Sequence, residues 1–236
     1  MKKIRWDRCN VVGTVCDAAS LRAASSCGSC DIVEIRADLF YPPSLPSILR
    51  TPSRSRNTES TGNAGNISQP TILTVRDECE GGAKNLSAEE RTNRYLSHIS
   101  KVSAIDIEIA NIRSMRQVFK AARDLDIPVI ASMHDFQRVP TRRAIAHAIT
   151  RARDAGAACI KIAALTETSR ELSKLVDCLD LVEDIPFALM GMGRFAFASR
   201  VLFMQCGSCL NYGSLGTATA PNQPSAEQLL KARSGA

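Results

Sequence analysis

Apolar positions fall along this chain in short runs that alternate with stretches of helical period. Strand-like runs occupy residues 9–15, 31–36, 71–76, 104–109, 128–133, 157–163 and 186–190, with a less distinct one at 208–215. Amphipathic stretches at 87–100, 112–125, 141–155 and 169–181 lie between them. Gly156 sits where a helix wants its C-terminal cap, and Ser225 with Gln228 has capping-box spacing ahead of a last short helix. Eight strands alternating with helices over 236 residues predict an α/β fold, a single-domain (β/α)8 TIM barrel over residues 1–236. A doubly wound open sheet is the alternative. No Gly-x-Gly-x-x-Gly follows the first run, which disfavours it. One segment breaks the pattern. Residues 42–70 are rich in Pro, Ser, Asn and Gly, and only 45–49 can form a helical turn, so an irregular, mobile insertion is expected at about 51–69.

Side chains two apart share a face of a strand. On that parity the second run presents Glu34 and Arg36, the third Thr74 and Arg76, the fourth Asp106 and Glu108, and the fifth Ser132 and His134. The sixth places Lys161 with Cys159 and Ala163, opposite Ile160 and Ile162. The apolar faces are expected to pack on helices, so the polar faces point into the barrel, near the C-terminal strand ends where barrel enzymes build their sites. Each residue alone has a plain structural explanation: an internal ion pair, a strand-end cap, or a lysine snorkelling to solvent. Five consecutive strands of one parity are not explained that way.

Lys161 is the chemically telling member. An ammonium is costly to desolvate, and burial favours the neutral amine that attacks carbonyls to form a Schiff base. With His134 as proton shuttle and arginines in the same mouth, the set points to imine chemistry on a carbonyl compound bearing a carboxylate or phosphate.

Composition narrows the reading further. The net charge of +6 with only 5% aromatics gives no basic stripe interleaved with stacking residues, which disfavours nucleic-acid binding. No apolar run reaches membrane-spanning length and residues 1–7 lack a signal-peptide core, so a cytoplasmic protein without a membrane partner is expected. Nine cysteines include two Cys-Gly-Ser-Cys segments, at 27–30 and 206–209. They are read as reduced structural thiols rather than a zinc or redox site. His98, His134 and His147 do not make a metal-ligand set.

These motifs resemble a known family, type I 3-dehydroquinate dehydratase. The resemblance is carried by Glu34-Ile-Arg36 with Asp38, Thr74-Val-Arg76 followed by Glu80-Gly-Gly, and Ile105-Asp-Ile-Glu108. It continues through Ser132-Met-His134-Asp-Phe136, Ile160-Lys161-Ile-Ala, Met190-Gly-Met192, Ser199-Arg200 and Thr219-Ala-Pro-Asn-Gln223. It implies that Lys161 forms an imine with the C3 ketone of 3-dehydroquinate and that His134, oriented by Glu80, moves the C2 proton. Arg200 would hold the carboxylate, Glu34, Arg36 and Arg76 would position the ring, and Thr219 and Gln223 would lie on a closing loop. The resemblance further implies a cytoplasmic homodimer of the shikimate pathway without cofactor or metal, and in some members fusion to a shikimate dehydrogenase. Thr219 stands where serine is usual, and Gly191 and Gly193 are expected to loosen the seventh loop. The rivals are another Schiff-base barrel, such as a class I aldolase, and an inactive barrel serving as a binding domain.

Overall fold

The computed structural model describes residues 2–25, 28–40, 67–83, 86–182 and 184–235. Eight parallel strands run in the order β7-β6-β5-β4-β3-β2-β1-β8. They are β1 (Asn10–Val15), β2 (Ile32–Arg36), β3 (Thr71–Thr74), β4 (Ala104–Glu108), β5 (Val129–Asp135), β6 (Cys159–Leu165), β7 (Phe187–Met192) and β8 (Leu210–Ser214). The Cys209 amide donates to the Phe187 carbonyl at 2.8 Å, which brings the two ends of the sheet together. Register slips by two residues at alternate strand pairs, with Glu34 opposite Ile72, Asp106 opposite Ile130 and Lys161 opposite Ala188. That stagger is what lets a tilted sheet close on itself. The fold is a single (β/α)8 barrel.

The described helices form the outer ring: α1 (Ala18–Ala24), α2 (Ala88–His98), α3 (Arg116–Asp124), α4 (Arg142–Asp154), α5 (Ser169–Val176), α6 (Ala196–Gln205) and α7 (Ala226–Ser234). Five of the seven starts are capped by side chains. Ser87, Thr168 and Ser225 close reciprocal capping boxes with Glu90, Glu171 and Gln228, and Thr141 caps α4. Gly156, at φ +78°, follows the end of α4. Strand and helix limits differ from the sequence reading in instructive places. The stretch 169–181 is not one helix: α5 stops at Val176 and a separate 3-10 turn spans Leu179–Val182. Arg142 of α4 takes up the Asp177 carbonyl and the Asp180 carboxylate, satisfying an acceptor that the helix leaves open. The expected insertion at 51–69 and the turn at 45–49 lie outside the described residues, apart from 67–69.

Inside the barrel each strand is graded from one end to the other. Nearest the N-terminal ends, Val12, Ile32, Ile72, Ala104, Ile130, Cys159 and Ala188 form an apolar floor, with Ile4 and Trp6 packed beneath it. One inward position further along stand Thr14, Glu34, Thr74, Asp106, Ser132 and Lys161, all buried. The opposite parity (Val33, Ile35, Leu73, Ile105, Ile107, Ile160, Ile162) packs outward against the helices. At β8 the outer helix comes very close: a Cβ on Gly213 would stand 2.6 Å from the Ala226 backbone nitrogen, so glycine lets α7 seat there. No helix of the described residues is long and apolar enough to cross a membrane.

Candidate active site

The buried polar positions form one connected network around Lys161. Its Nζ donates to Asp106 Oδ2 at 3.0 Å, lies 3.6 Å from Glu34 Oε1, and sits 3.9 Å from the centroid of the Tyr212 ring. The amine is therefore not a bare group in an apolar wall, as burial alone suggested. It is an ion-paired one, and the pairing offsets its desolvation. Glu34 is fixed by the Thr14 and Thr74 hydroxyls at 3.2 and 2.9 Å. Asp106 also accepts from Ser132 at 2.6 Å and Arg76 at 2.8 Å. Burial would push the Asp106 carboxyl upward, but Arg76 and then Lys161 outweigh it and hold the group below the ordinary carboxylate range.

Arg76 lies two residues past the end of β3, which is shorter than its apolar run suggested. From there its guanidinium reaches Asp106, Glu108 and Ser132, tying β3, β4 and β5 together. Arg36 is spent on a two-point pair with Asp38, at 2.9 and 2.8 Å, and on the Gly81 carbonyl.

His134 is set by Glu80. One carboxylate oxygen of Glu80 accepts the His134 backbone N–H at 2.8 Å and faces its Nδ1 at 2.9 Å. Glu80 rides on a short 3-10 turn (Glu78–Glu80) that Asp77 caps and Gly81 ends at φ +84°. Residues 81 and 82 need glycine for more than conformation. A Cβ on Gly81 would meet the Phe136 ring at 2.7 Å, and one on Gly82 would meet the Arg76 carbonyl oxygen at 2.1 Å. Burial pushes the Glu80 carboxyl up to about 7, against the pull of Arg76. Burial, and then the charges of Arg76, Lys161 and Arg36, push the His134 imidazole well below its ordinary value. His134 is therefore neutral at neutral pH, and once Glu80 is ionised its Nδ1–H donates to that carboxylate. Nε2 is then the free base.

Thr219 and Gln223 belong to the loop between β8 and α7. The Gln223 side-chain oxygen accepts from the Thr219 amide at 2.8 Å and its hydroxyl at 3.1 Å. The loop is pinned at two further points, by Gly193 N–H to the Pro221 carbonyl at 3.0 Å and by the Thr217 hydroxyl to Asp17 at 2.9 Å. The seventh loop is not loosened by its glycines, contrary to expectation. A Cβ at Gly193 would meet the Glu167 carboxylate at 1.9 Å and one at Gly191 the Thr166 hydroxyl at 2.9 Å, so both glycines permit close packing.

A narrow cavity at the C-terminal mouth is lined by Lys161, His134, Glu80, Glu34, Arg36, Arg76, Thr219 and Gln223. Eight of the nine residues expected from sequence thus converge. Arg200 does not line it. It lies buried on α6 behind the wall, giving hydrogen bonds to the carbonyls of Tyr212, Gly191 and Ala196 at 2.7–2.8 Å. Unlike Arg36, Arg76 and Arg91, it has no carboxylate partner among the described residues, and burial lowers it to about 10. Sequence reasoning did not single out Tyr212, and it quoted Met190, Met192 and Phe136 within motifs without giving them a role; all four share the lining. Tyr212 was legible in principle, two residues from each end of the eighth strand, but the run around it was the least distinct. Of the two Cys-Gly-Ser-Cys segments, Cys206 is exposed and Cys209 buried, Cys30 is buried, and Cys27 lies outside the described residues.

Comparison with known proteins bears on the family and the fold. Residues 10–234 match the model of the family described as type I 3-dehydroquinase. The 3-dehydroquinate dehydratase of Methanococcoides burtonii is 29% identical over 203 residues, covering 86% of this chain and 83% of its own length. That of Clostridium novyi is 26% identical over 208 residues, covering 85% and 79%. Among solved structures, the 3-dehydroquinate dehydratase of Geobacillus kaustophilus superposes with a TM-score of 0.80 at 20% identity, over 96% of this chain and 90% of that one. The carboxyl transferase domain of Rhizobium etli pyruvate carboxylase also superposes, with a TM-score of 0.67 at 12% identity over 98% of this chain and 44% of that one. A shared barrel therefore does not decide the chemistry. The family match over nearly the whole chain does: the chain belongs to the type I 3-dehydroquinase family.

Proposed function

We propose that this protein dehydrates 3-dehydroquinate to 3-dehydroshikimate by a syn elimination through an imine on Lys161. The observation that carries the reading is the placement of Lys161 and the Glu80–His134 pair on one small cavity. Lys161 gives up a proton and attacks the C3 ketone; loss of water leaves a protonated imine with one N–H. His134 Nε2 then takes a proton from C2, and the bonding pair moves onto nitrogen as the neutral enamine. The enamine expels the C1 hydroxyl, which receives the proton from His134 and leaves as water. Hydrolysis of the product imine restores the lysine. One base on one face performs both proton transfers, which is why the elimination is syn.

Glu34, Arg36 and Arg76 position the ring, and Thr219 and Gln223 close over it. Arg200, though it lies behind the wall, is assigned the carboxylate, because a buried guanidinium with no acidic partner among the described residues gains most from an anion. The protein is a cytoplasmic enzyme, one barrel domain with an insertion between β2 and β3, working as a homodimer. Phe197 and Leu202, 45% and 37% exposed on a helix whose only charge is the buried Arg200, support a second copy. The test is to incubate the protein with 3-dehydroquinate and borohydride and to search for an adduct on Lys161 by mass spectrometry. Absence of both the adduct and a rise in enone absorbance rejects the reading. Lack of enone with an adduct on Lys161 turns it toward an imine-forming enzyme of other specificity.

A further inference from the structure

Tyr212 stands out because its polar end has no task. Only 3% of the residue is exposed, yet its hydroxyl has no hydrogen-bond partner among the described residues. A buried hydroxyl left unpaired is a cost, so the residue is held for something else. What it offers is a ring face, 3.9 Å below the nitrogen on which the covalent chemistry takes place.

The two carboxylates beside Lys161 depend on its N–H groups, and the ring does not. As an ammonium, Nζ has three N–H groups to share between Asp106 and Glu34. As a protonated imine it keeps one, so at most one of those hydrogen bonds survives. Both carboxylates have other donors to fall back on, Ser132 and Arg76 for Asp106 and the two threonines for Glu34. An aromatic face attracts the charge itself and is indifferent to how many hydrogens carry it. Of the three contacts to Nζ, the ring is the one that passes through the conversion unchanged.

We propose that the face of Tyr212 is the cation platform of the reaction, a positioning surface that holds the positive charge on Nζ and so keeps the imine protonated. The inference rests on the imine reading of Lys161 given above. The other charged or titratable groups around Nζ are Glu34 on β2, Arg76 beyond β3, Asp106 on β4 and His134 on β5, with Glu80 behind His134 and Cys159 below on β6. None of these is altered by a change in the π-density of residue 212.

The experiment exploits that independence. Cyanoborohydride reduces protonated imines selectively, so the pH at which trapping of 3-dehydroquinate on Lys161 falls to half reports imine protonation. It is measured for the wild-type enzyme, for Tyr212→Phe, for the same position carrying mono- and trifluorinated phenylalanine, and for Tyr212→Leu. The fluorinated rings keep the shape while draining the face of electron density, so misfolding does not confound the series, and circular dichroism checks this. Tyr212→Phe is expected to keep the wild-type midpoint. The midpoint then falls stepwise with fluorination, to about one pH unit lower in the trifluoro ring and in leucine. A midpoint that stays put along the series while the wild type traps normally overturns the platform alone. So does a shift in Tyr212→Phe as large as that in the trifluorinated enzyme. No trapping in the wild type brings down the imine reading and the platform with it.

Discussion

Glu80 faces His134 Nδ1 at 2.9 Å, and on the proposed mechanism the proton between them decides when the site can work. With Glu80 protonated, it donates to Nδ1, the ring proton is on Nε2, and the base is blocked. With Glu80 ionised, the ring proton moves to Nδ1 and Nε2 is free. Since burial raises Glu80 to about 7 in the ligand-free protein, kcat/KM is expected to climb with pH through a midpoint near 7. Glu80→Gln accepts from Nδ1–H but does not titrate, so its profile should lose the rising limb; persistence of that limb would assign the ionisation elsewhere. Stability carries the same signature with the opposite slope. A carboxyl whose folded pKa is raised adds stability that is present below its unfolded value of 4.5 and is lost as pH rises through about 7. Denaturant titrations of Glu80→Gln should lack that decline. His134→Ala should still trap imine on Lys161 but lose about 10²- to 10⁴-fold in turnover. Near-normal turnover would remove it as the proton carrier. Arg200→Ala should raise KM much more than it lowers kcat, and an unchanged KM would end its role in holding the carboxylate.

The strands carried the most information from sequence into structure, because their period of two leaves no ambiguity about which residues face each other. Glu34, Asp106, Ser132 and Lys161 were placed inward by parity, and they are the residues found bonded together. What parity does not give is the distance between partners on different strands. The pairing of Lys161 with Asp106 depends on the stagger of β4 against β5, which no local pattern encodes. Helices were less legible where composition hid their period. Six of the seven residues of α1 are small or apolar around a single Arg22, and α6 has no charged residue except the inward Arg200, so neither has a polar face to read. Arg200 was found from its motif, but its position behind the wall comes from packing of α6 on β7 and β8.

At the same scale, Arg76 is the clamp of three strands. Arg76→Ala leaves Asp106 and Glu108 buried without their shared cation and should cost about 3–5 kcal/mol in urea denaturation. A loss below about 1 kcal/mol would mean that the two carboxylates relax or take up protons at little cost. Ser225→Ala removes one half of the α7 capping box and should cost about 1 kcal/mol with no change in KM.

For the molecule as a whole, the two ends of the barrel have separate duties. The floor of aliphatic side chains, with Ile4 and Trp6 beneath it, supplies packing, and the charged level above it supplies chemistry. Stability and activity are therefore expected to respond to different substitutions, except at buried charged residues such as Arg76 and Glu80, where both should change. The proposed homodimer would add a further level. Light scattering should give the mass of two chains, and Phe197→Glu combined with Leu202→Glu should halve it if α6 is the contact face.

The connected charges above the floor also bear on how such a sequence can change over time. Arg76 answers to Asp106 and Glu108, Asp106 to Lys161 and Ser132, and Glu34 to Thr14 and Thr74. A substitution at any one of them strands its partners in a low-dielectric interior, so no single step away from the set is neutral. The set is thus expected to change as a block, bound by the coupling among its members rather than by the importance of each residue taken singly. An exposed helix position with no such partners can change alone, at little cost to its neighbours.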